Sequence, residues 1–328
     1  MNDHLTRRKF VTNSLQGTLA AAIGGAVAPL AAAPAGAPAN PPSPASPEAM
    51  PKGKIGKLEL GRLMLGTNII TGHMHSRGLF YLKDFSAHYH TDEKILETFA
   101  LAEQHGVNTF MTHHEPNVVR LFTEHRRRGS KMKWIVAPTP QETKSLTDFE
   151  KITLALKGYG ADAIYVHGAA ADPLVQGGMV DHIRECVEII KTQDLPAGIA
   201  AHDLEVIKAC EAAKIPSDFY AKTFHSFNYS TAPKPEQITK PFSEMPLAYW
   251  CSDPVATADY MKTVNKPWIA YKVMAAGAIM PQYAFQYAFS KGADFILAGM
   301  FDWQIAGDAK IAQESYAKCA KRDRPWYG

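Results

Sequence analysis

Imidazole and amine groups recur at one kind of place in this chain, the polar end of a short apolar run. His113 and His114 close the run that begins near Val107, and His167 closes the run from Ala161 to Val166. His202 follows Ala197–Ala201, Lys222 and His225 end the run from Asp218, Lys272 ends WIAYK, and Asp302 follows FILAGMF. Imidazole is a good ligand for Zn, Ni, Fe or Cu and also a general base near neutral pH. A catalytic metal needs about three protein ligands and an open position. His113, His114, His202 and His225 are the expected ligands of a divalent ion, with Glu115, Asp203 or Asp302 able to supply a carboxylate. His167, Lys222, Lys272 and Asp302 are the expected catalytic groups. A lysine among apolar neighbours loses its charge readily and can act as base or Schiff-base nucleophile, anchor substrate oxygens, or simply pair with an acidic neighbour. Asp302 would orient a lysine or a histidine. Asn68, His73, His75, Arg77 and Trp250 are the expected substrate contacts.

The elements that must position these groups follow from the same runs. Strands are expected over 62–68, 107–112, 133–137, 161–166, 197–201, 218–223, 268–273 and 295–298, with helix-like stretches between most of them. Strands alternating with helices imply parallel pairing, and eight such units imply a closed (β/α)8 TIM barrel of the α/β class. Catalytic groups of that fold sit at the carboxyl ends of the strands, where these residues fall. Thr147 with Glu150 reads as a helix-starting capping box. Two insertions, 69–89 and 226–249, are long enough to cover a site at that end. The expected organisation is a signal segment over 1–39, a Pro- and Ala-rich linker over 40–52, and a single barrel domain over 53–328.

The beginning of the chain reads as an address. Thr6-Arg7-Arg8-Lys9-Phe10-Val11 is a twin-arginine export motif, followed by an apolar Gly- and Ala-rich stretch and small residues suited to cleavage. The export machinery is therefore an expected partner, the periplasm the expected compartment, and no stable membrane span is expected after processing. The formal charge is +3, and removing 1–39 takes away three basic residues and one acidic residue, leaving about +1. That balance gives no footprint for nucleic acid. The four cysteines form no CxxC pair, and Cys186 and Cys210 fall on amphipathic helix patterns as small core residues.

Several segments resemble the aldo-keto reductases. Gly53–Asn68 (GKIGKLELGRLMLGTN) is similar to that family's opening hairpin and first strand. Ala102–Phe110 (AEQHGVNTF) is similar to its passage into strand two, Asp162–His167 (DAIYVH) to its DLYxxH, and Gly198–His202 to its fifth strand. The chain also resembles exported bacterial barrel proteins. The resemblance implies a TIM barrel and a nicotinamide-dependent reduction, with His167 on the family's catalytic histidine. The rest of the family's catalytic set departs: Met111 stands at its aspartate, Pro116 at its tyrosine, and Pro138-Thr139 near its lysine. A carbonyl reductase of that kind uses the tyrosine as proton donor.

The sequence therefore supports an exported barrel enzyme acting on a small polar substrate such as a sugar derivative, as a lyase, isomerase or epimerase, or hydrolase, with a divalent metal as the expected cofactor. An NADP-dependent reductase with a changed acid is the first alternative. A non-catalytic periplasmic binding protein is the second.

Overall fold

The structure, a computed structural model, describes residues 49–245 and 247–328. The signal segment expected over 1–39, and the linker as far as residue 48, lie outside the described residues. A hairpin of β1 (Lys52–Ile55) and β2 (Leu58–Gly61) opens the described chain. Then come β3 (Leu63–Gly66), α1 (Tyr81–Tyr89), α2 (Asp92–Gln104), β4 (Thr109–His113), α3 (Pro116–Arg127), β5 (Lys133–Ala137) and α4 (Leu146–Gly158). They are followed by β6 (Ala163–Val166), α5 (Gly168–Gln176), α6 (Val180–Lys191), β7 (Ala197–Ala201), α7 (Leu204–Ala212) and β8 (Phe219–Thr223). The chain ends with α8 (Pro254–Met261), β9 (Trp268–Tyr271), α9 (Pro281–Ser290), β10 (Phe295–Ala298) and α10 (Asp302–Lys318). Strands β3 to β10 are all parallel and close with β10 beside β3, so the expected (β/α)8 barrel is the observed fold.

All eight expected barrel strands are present, and each is trimmed or shifted by a few residues at most. Three helices were not anticipated: α1 lies within the first insertion, α5 between β6 and α6, and α9 between β9 and β10. The expected capping box is also replaced. Ser145 is the N-cap of α4 and its side chain accepts from Asp148 N, so the cap lies two residues before Thr147 and the helix begins at Leu146.

Alternation divides each strand between the barrel interior and the helix layer. Met64, Met111, Ile135, Ala163, Phe219, Ile269 and Phe295 share the interior cluster, while Phe110, Trp134, Ile164, Tyr220 and Trp268 pack outward. Gly198 makes room for that interior: a Cβ there would lie 2.2 Å from the Phe219 ring. The opposite end from the candidate site is locked by charge. Asp294, just before β10, accepts from Trp268 N at 2.9 Å and meets Arg322 at 2.7 Å and Arg324 at 2.6 Å, all three being buried. Among the described residues no helix is long and apolar enough to cross a membrane.

Candidate active site at the carboxyl rim

Lys272 follows the last residue of β9 in a left-handed conformation (φ 57°), which turns its side chain across the rim. A non-glycine residue there costs on the order of 1 kcal/mol, and such strain concentrates at functional positions. Its Nζ lies in close contact with His75 Nε2, and Asn68 Nδ2 lies 3.5 Å from the same nitrogen. His75 Nδ1 faces the Glu244 carboxylate at 3.0 Å. This arrangement assigns the tautomer: Nδ1–H donates to Glu244, and Nε2 accepts from the lysine. Burial, then the Lys272 charge, pushes the His75 pKa down to about 3. Burial also lowers Lys272 to about 8, against the opposing pull of Glu244 and Asp172. Trp250 forms the wall, with its ring 5.2 Å from His75 and 5.6 Å from the Lys272 ammonium, and its indole N–H is buried without a hydrogen-bond partner.

A second pair faces the same space. His202, just past β7, holds Asp172 through Nδ1 at 2.7 Å, and Asp172 also accepts from the backbone of His202 at 3.0 Å and of Asp203 at 3.1 Å. That leaves His202 Nε2 as the nitrogen open to a substrate. The ring stacks on Phe242 at 4.6 Å and meets Tyr271 edge-on at 5.7 Å. Gly168 allows this packing, because a Cβ would lie 3.0 Å from the Tyr271 hydroxyl and 3.2 Å from the His202 ring. His167 caps α5, accepting from Ala169 N through Nδ1 at 3.2 Å. Its pKa is pushed down to about 3, first by burial and then by the charges of His113, His202 and Lys272. The Lys272 ammonium also depresses His202 and His75, so the three imidazoles share one electrostatic field. The second insertion covers the site as expected, supplying Phe242 and Glu244.

The structure thus gathers His75, His167, His202, Lys272, Asn68 and Trp250 from the expected set. His113 borders them, with its ring 6.0 Å from that of His167, and His73 lies 5.5 Å beyond it. Five other expected residues are engaged elsewhere. His114 Nδ1 is bound to Glu142 at 2.8 Å; adjacent strand-end residues point to opposite faces, so it parts from His113. His225 uses both ring nitrogens on backbone, donating to Ser226 O at 2.9 Å and accepting from Trp250 N at 3.0 Å and Cys251 N at 3.2 Å. It has no lone pair left for a metal. His202 keeps Nε2 open, but its expected co-ligands His114 and His225 are engaged in these other contacts.

Lys222 shares the outward face of β8 with Tyr220, whose hydroxyl reaches Glu211 on α7, and its Nζ donates to Thr223 O and Oγ1. Arg77 ties loops together through Ala248 O, Ala275 O and Thr231 Oγ1, and lines a cavity of about 360 Å³ with Thr231, Pro233, Gln237 and Leu247. Asp302, at the start of α10, accepts from Tyr89 at 2.7 Å and Lys94 at 3.1 Å rather than orienting Lys272 or a rim histidine. Sequence reasoning missed Asp172 and Glu244. Asp172 lies in α5, whose short GAAADPLVQ segment lacks helical apolar periodicity, and Glu244 is one polar residue in a long loop.

No protein-family model matches the chain, and no curated protein matches it. Solved structures do. An aldo-keto reductase-type protein from Pseudomonas aeruginosa is 16% identical with a TM-score of 0.54, over 81% of this chain and 94% of that one. The aldo-keto reductase of Bacillus halodurans in its holo form is 13% identical with a TM-score of 0.51, over 85% and 98%. A variant of the protein Gox0644 in complex with NADPH is 11% identical with a TM-score of 0.53, over 86% and 97%. At these identities the likeness establishes the fold alone, a closed (β/α)8 barrel similar to those of these proteins.

Proposed function

We propose that this barrel is an acid–base enzyme acting on a small polar carbonyl compound, most simply a sugar derivative, and that it moves a proton at the carbon beside the carbonyl. The observation that carries the reading is the meeting of Lys272 and His75 with the His202–Asp172 pair in one enclosed rim. His202 Nε2 takes the proton from carbon, while Asp172 holds the ring through Nδ1 and stabilises the imidazolium that forms. The Lys272 ammonium donates a hydrogen bond to the carbonyl oxygen and stabilises the enolate charge that develops there. Return of the proton from His202 to the same carbon, after the enolate has turned its other face to the imidazole, gives epimerisation. Return to the neighbouring carbon, with that carbon's hydroxyl proton passing to the former carbonyl oxygen, gives isomerisation. The contacts from Lys272 through His75 to the half-exposed Glu244 form a path by which the amine exchanges protons with solvent. The twin-arginine motif supports a site of action outside the cytoplasm.

Deuterium exchange tests this directly. A panel of small aldoses, ketoses and 2-keto acids in deuterated water is followed by NMR for loss of the carbon-bound proton signal. The expected result is exchange in a subset, slowed by about 10²-fold or more in Lys272→Met and His202→Asn. Exchange that survives both substitutions would remove the proposal.

A reductase is the second reading, supported by the fold likeness and by the position of Lys272. With a pKa near 8, Lys272 is acidic enough to protonate an alkoxide where Pro116 replaces the family's tyrosine. An anion opens α10, since Asp302 lies where the last strand of such barrels offers a phosphate site, and this weighs against a dinucleotide. NADPH oxidation by one of the same carbonyl compounds, without proton exchange at carbon, would favour the reductase.

A further inference from the structure

His73, His113 and Glu115 stand next to the acid–base cluster and have no part in the proton transfer. They come from three places: the loop after β3, the last residue of β4 and the N-cap of α3. One ligand atom of each lies within 4.8 Å of the others. His73 Nδ1 and His113 Nε2 both face the same Glu115 oxygen, each at 3.5 Å. That is beyond a good hydrogen bond, which runs to about 3.2 Å for N–H···O. It is close to the separation of neighbouring ligand atoms around a tetrahedral ion with bonds of about 2.0–2.1 Å, for which the edge is about 3.3 Å. His73 Nδ1 also lies 3.1 Å from Thr71 Oγ1, which places a hydroxyl beside the first ligand.

We propose that His73, His113 and Glu115 bind a divalent transition metal of the zinc class. Two imidazoles and one carboxylate form a borderline donor set that suits Zn, Ni or Fe better than Mg or Ca. Three protein ligands leave a coordination position open, as in catalytic rather than structural zinc sites. His167 links this group to the acid–base cluster, since its ring lies 6.0 Å from that of His113 and within the field of Lys272. A substrate lying between Lys272 and the ion would present one oxygen to each, which favours a compound with adjacent hydroxyl and carbonyl oxygens. This role deepens the acid–base reading and rests on it; the binding of the ion does not.

The test uses the full chain stripped with a chelator and titrated with cobalt(II), whose visible spectrum reports low-coordinate nitrogen and oxygen ligation, alongside calorimetry with zinc. One ion per chain is expected. Affinity should fall at least tenfold in His73→Ala, His113→Gln and Glu115→Gln, and stay unchanged in Lys272→Met and His202→Asn. Binding below one ion per chain, or binding indifferent to the three ligand substitutions, would overturn the metal site while leaving the acid–base reading to its own exchange experiment. The Glu115→Gln and His113→Gln variants keep side-chain size, so a thermal midpoint matching wild type in the metal-free state separates lost ligation from lost folding.

Discussion

Lys272 carries a cost that its neighbours do not remove. Its residue is held in a left-handed backbone conformation and its amine is buried against His75 and the Trp250 ring, and its pKa falls from 10.5 to about 8. The folded state therefore binds this proton less tightly than the unfolded chain, and below pH 8 it bears the penalty of a buried ammonium. Stability should rise with pH between about 8 and 10.5 as the native amine loses its proton first. Lys272→Met should raise the stability at pH 7 by about 1–2 kcal/mol and abolish that slope, while reducing proton exchange. Chemical unfolding across pH, paired with the exchange assay, checks both signs. A residue that weakens the fold while being needed for turnover is the expected signature of a working group rather than a packing lysine. Its place was legible in the sequence because a charged residue ends an apolar strand. Which other charges it meets was not. His113 and His114 are adjacent and read alike, yet strand alternation lets only one face the pocket. Lys222 ends its strand just as Lys272 does, but falls on the outer face. Asp172 gave no signal because its helix has no repeating apolar face.

Each alternate barrel strand is pinned at its start by the side chain that precedes it. Asn108 accepts from Gly61 N at 2.7 Å, Asp162 from Trp134 N at 2.8 Å, Asp218 from Ala197 N at 2.7 Å and Asp294 from Trp268 N at 2.9 Å. These four lie immediately before β4, β6, β8 and β10, so one device fixes the register of β6, β8 and β10 against the strand before each, while Asn108 ties the start of β4 to the end of the hairpin strand β2. A register held in this way carries through each strand to its carboxyl end, where the rim groups must meet. The strands themselves were readable from their apolar runs, but this pattern was not, because a lone Asp or Asn before a strand also suits an ordinary turn. The long covering loop has its own pin. His225 accepts two backbone N–H groups at Trp250 and Cys251, and burial lowers its pKa to about 4. As pH falls from about 6.5 to 4 the unfolded chain gains this proton before the native state does. Stability should drop by up to about 3 kcal/mol over that window. His225→Ala should remove that part of the pH dependence, cost about 2–3 kcal/mol at neutral pH and expose the 226–249 loop to proteolysis. Urea unfolding at several pH values and limited proteolysis measure these effects.

A closed barrel separates the work of its two ends, and the far end is stabilised by ions rather than shaped for a ligand. Asp294 binds Arg322 and Arg324 in full burial, and Arg62 donates to the Asp294 carbonyl at 3.1 Å and to Gly328 O at 3.0 Å. The last residues of the chain are thereby tied to the first and last strands of the barrel. Asp294→Asn should cost about 3–5 kcal/mol, since it leaves two buried guanidinium groups without their counter-charge. It should leave the rim chemistry of the remaining folded protein unchanged, which a thermal midpoint and the exchange assay together report. The barrel was readable as a whole because eight units of one period leave few other ways to close a sheet. The contents of its rim depend on where loops of twenty or so residues return, and no local pattern specifies that.

The whole reading depends on Lys272 being enclosed with imidazoles around it rather than reaching into solvent. Its titration measures this without knowledge of the substrate. Lysines are labelled by ¹³C-methylation, and the Lys272 resonance is assigned by its absence in Lys272→Met. The expected midpoint is near pH 8, moving upward in His202→Asn only slightly and in Glu244→Gln downward as the opposing carboxylate is lost. A midpoint at the ordinary lysine value of about 10.4 would contradict the enclosed site and the chemistry assigned to it.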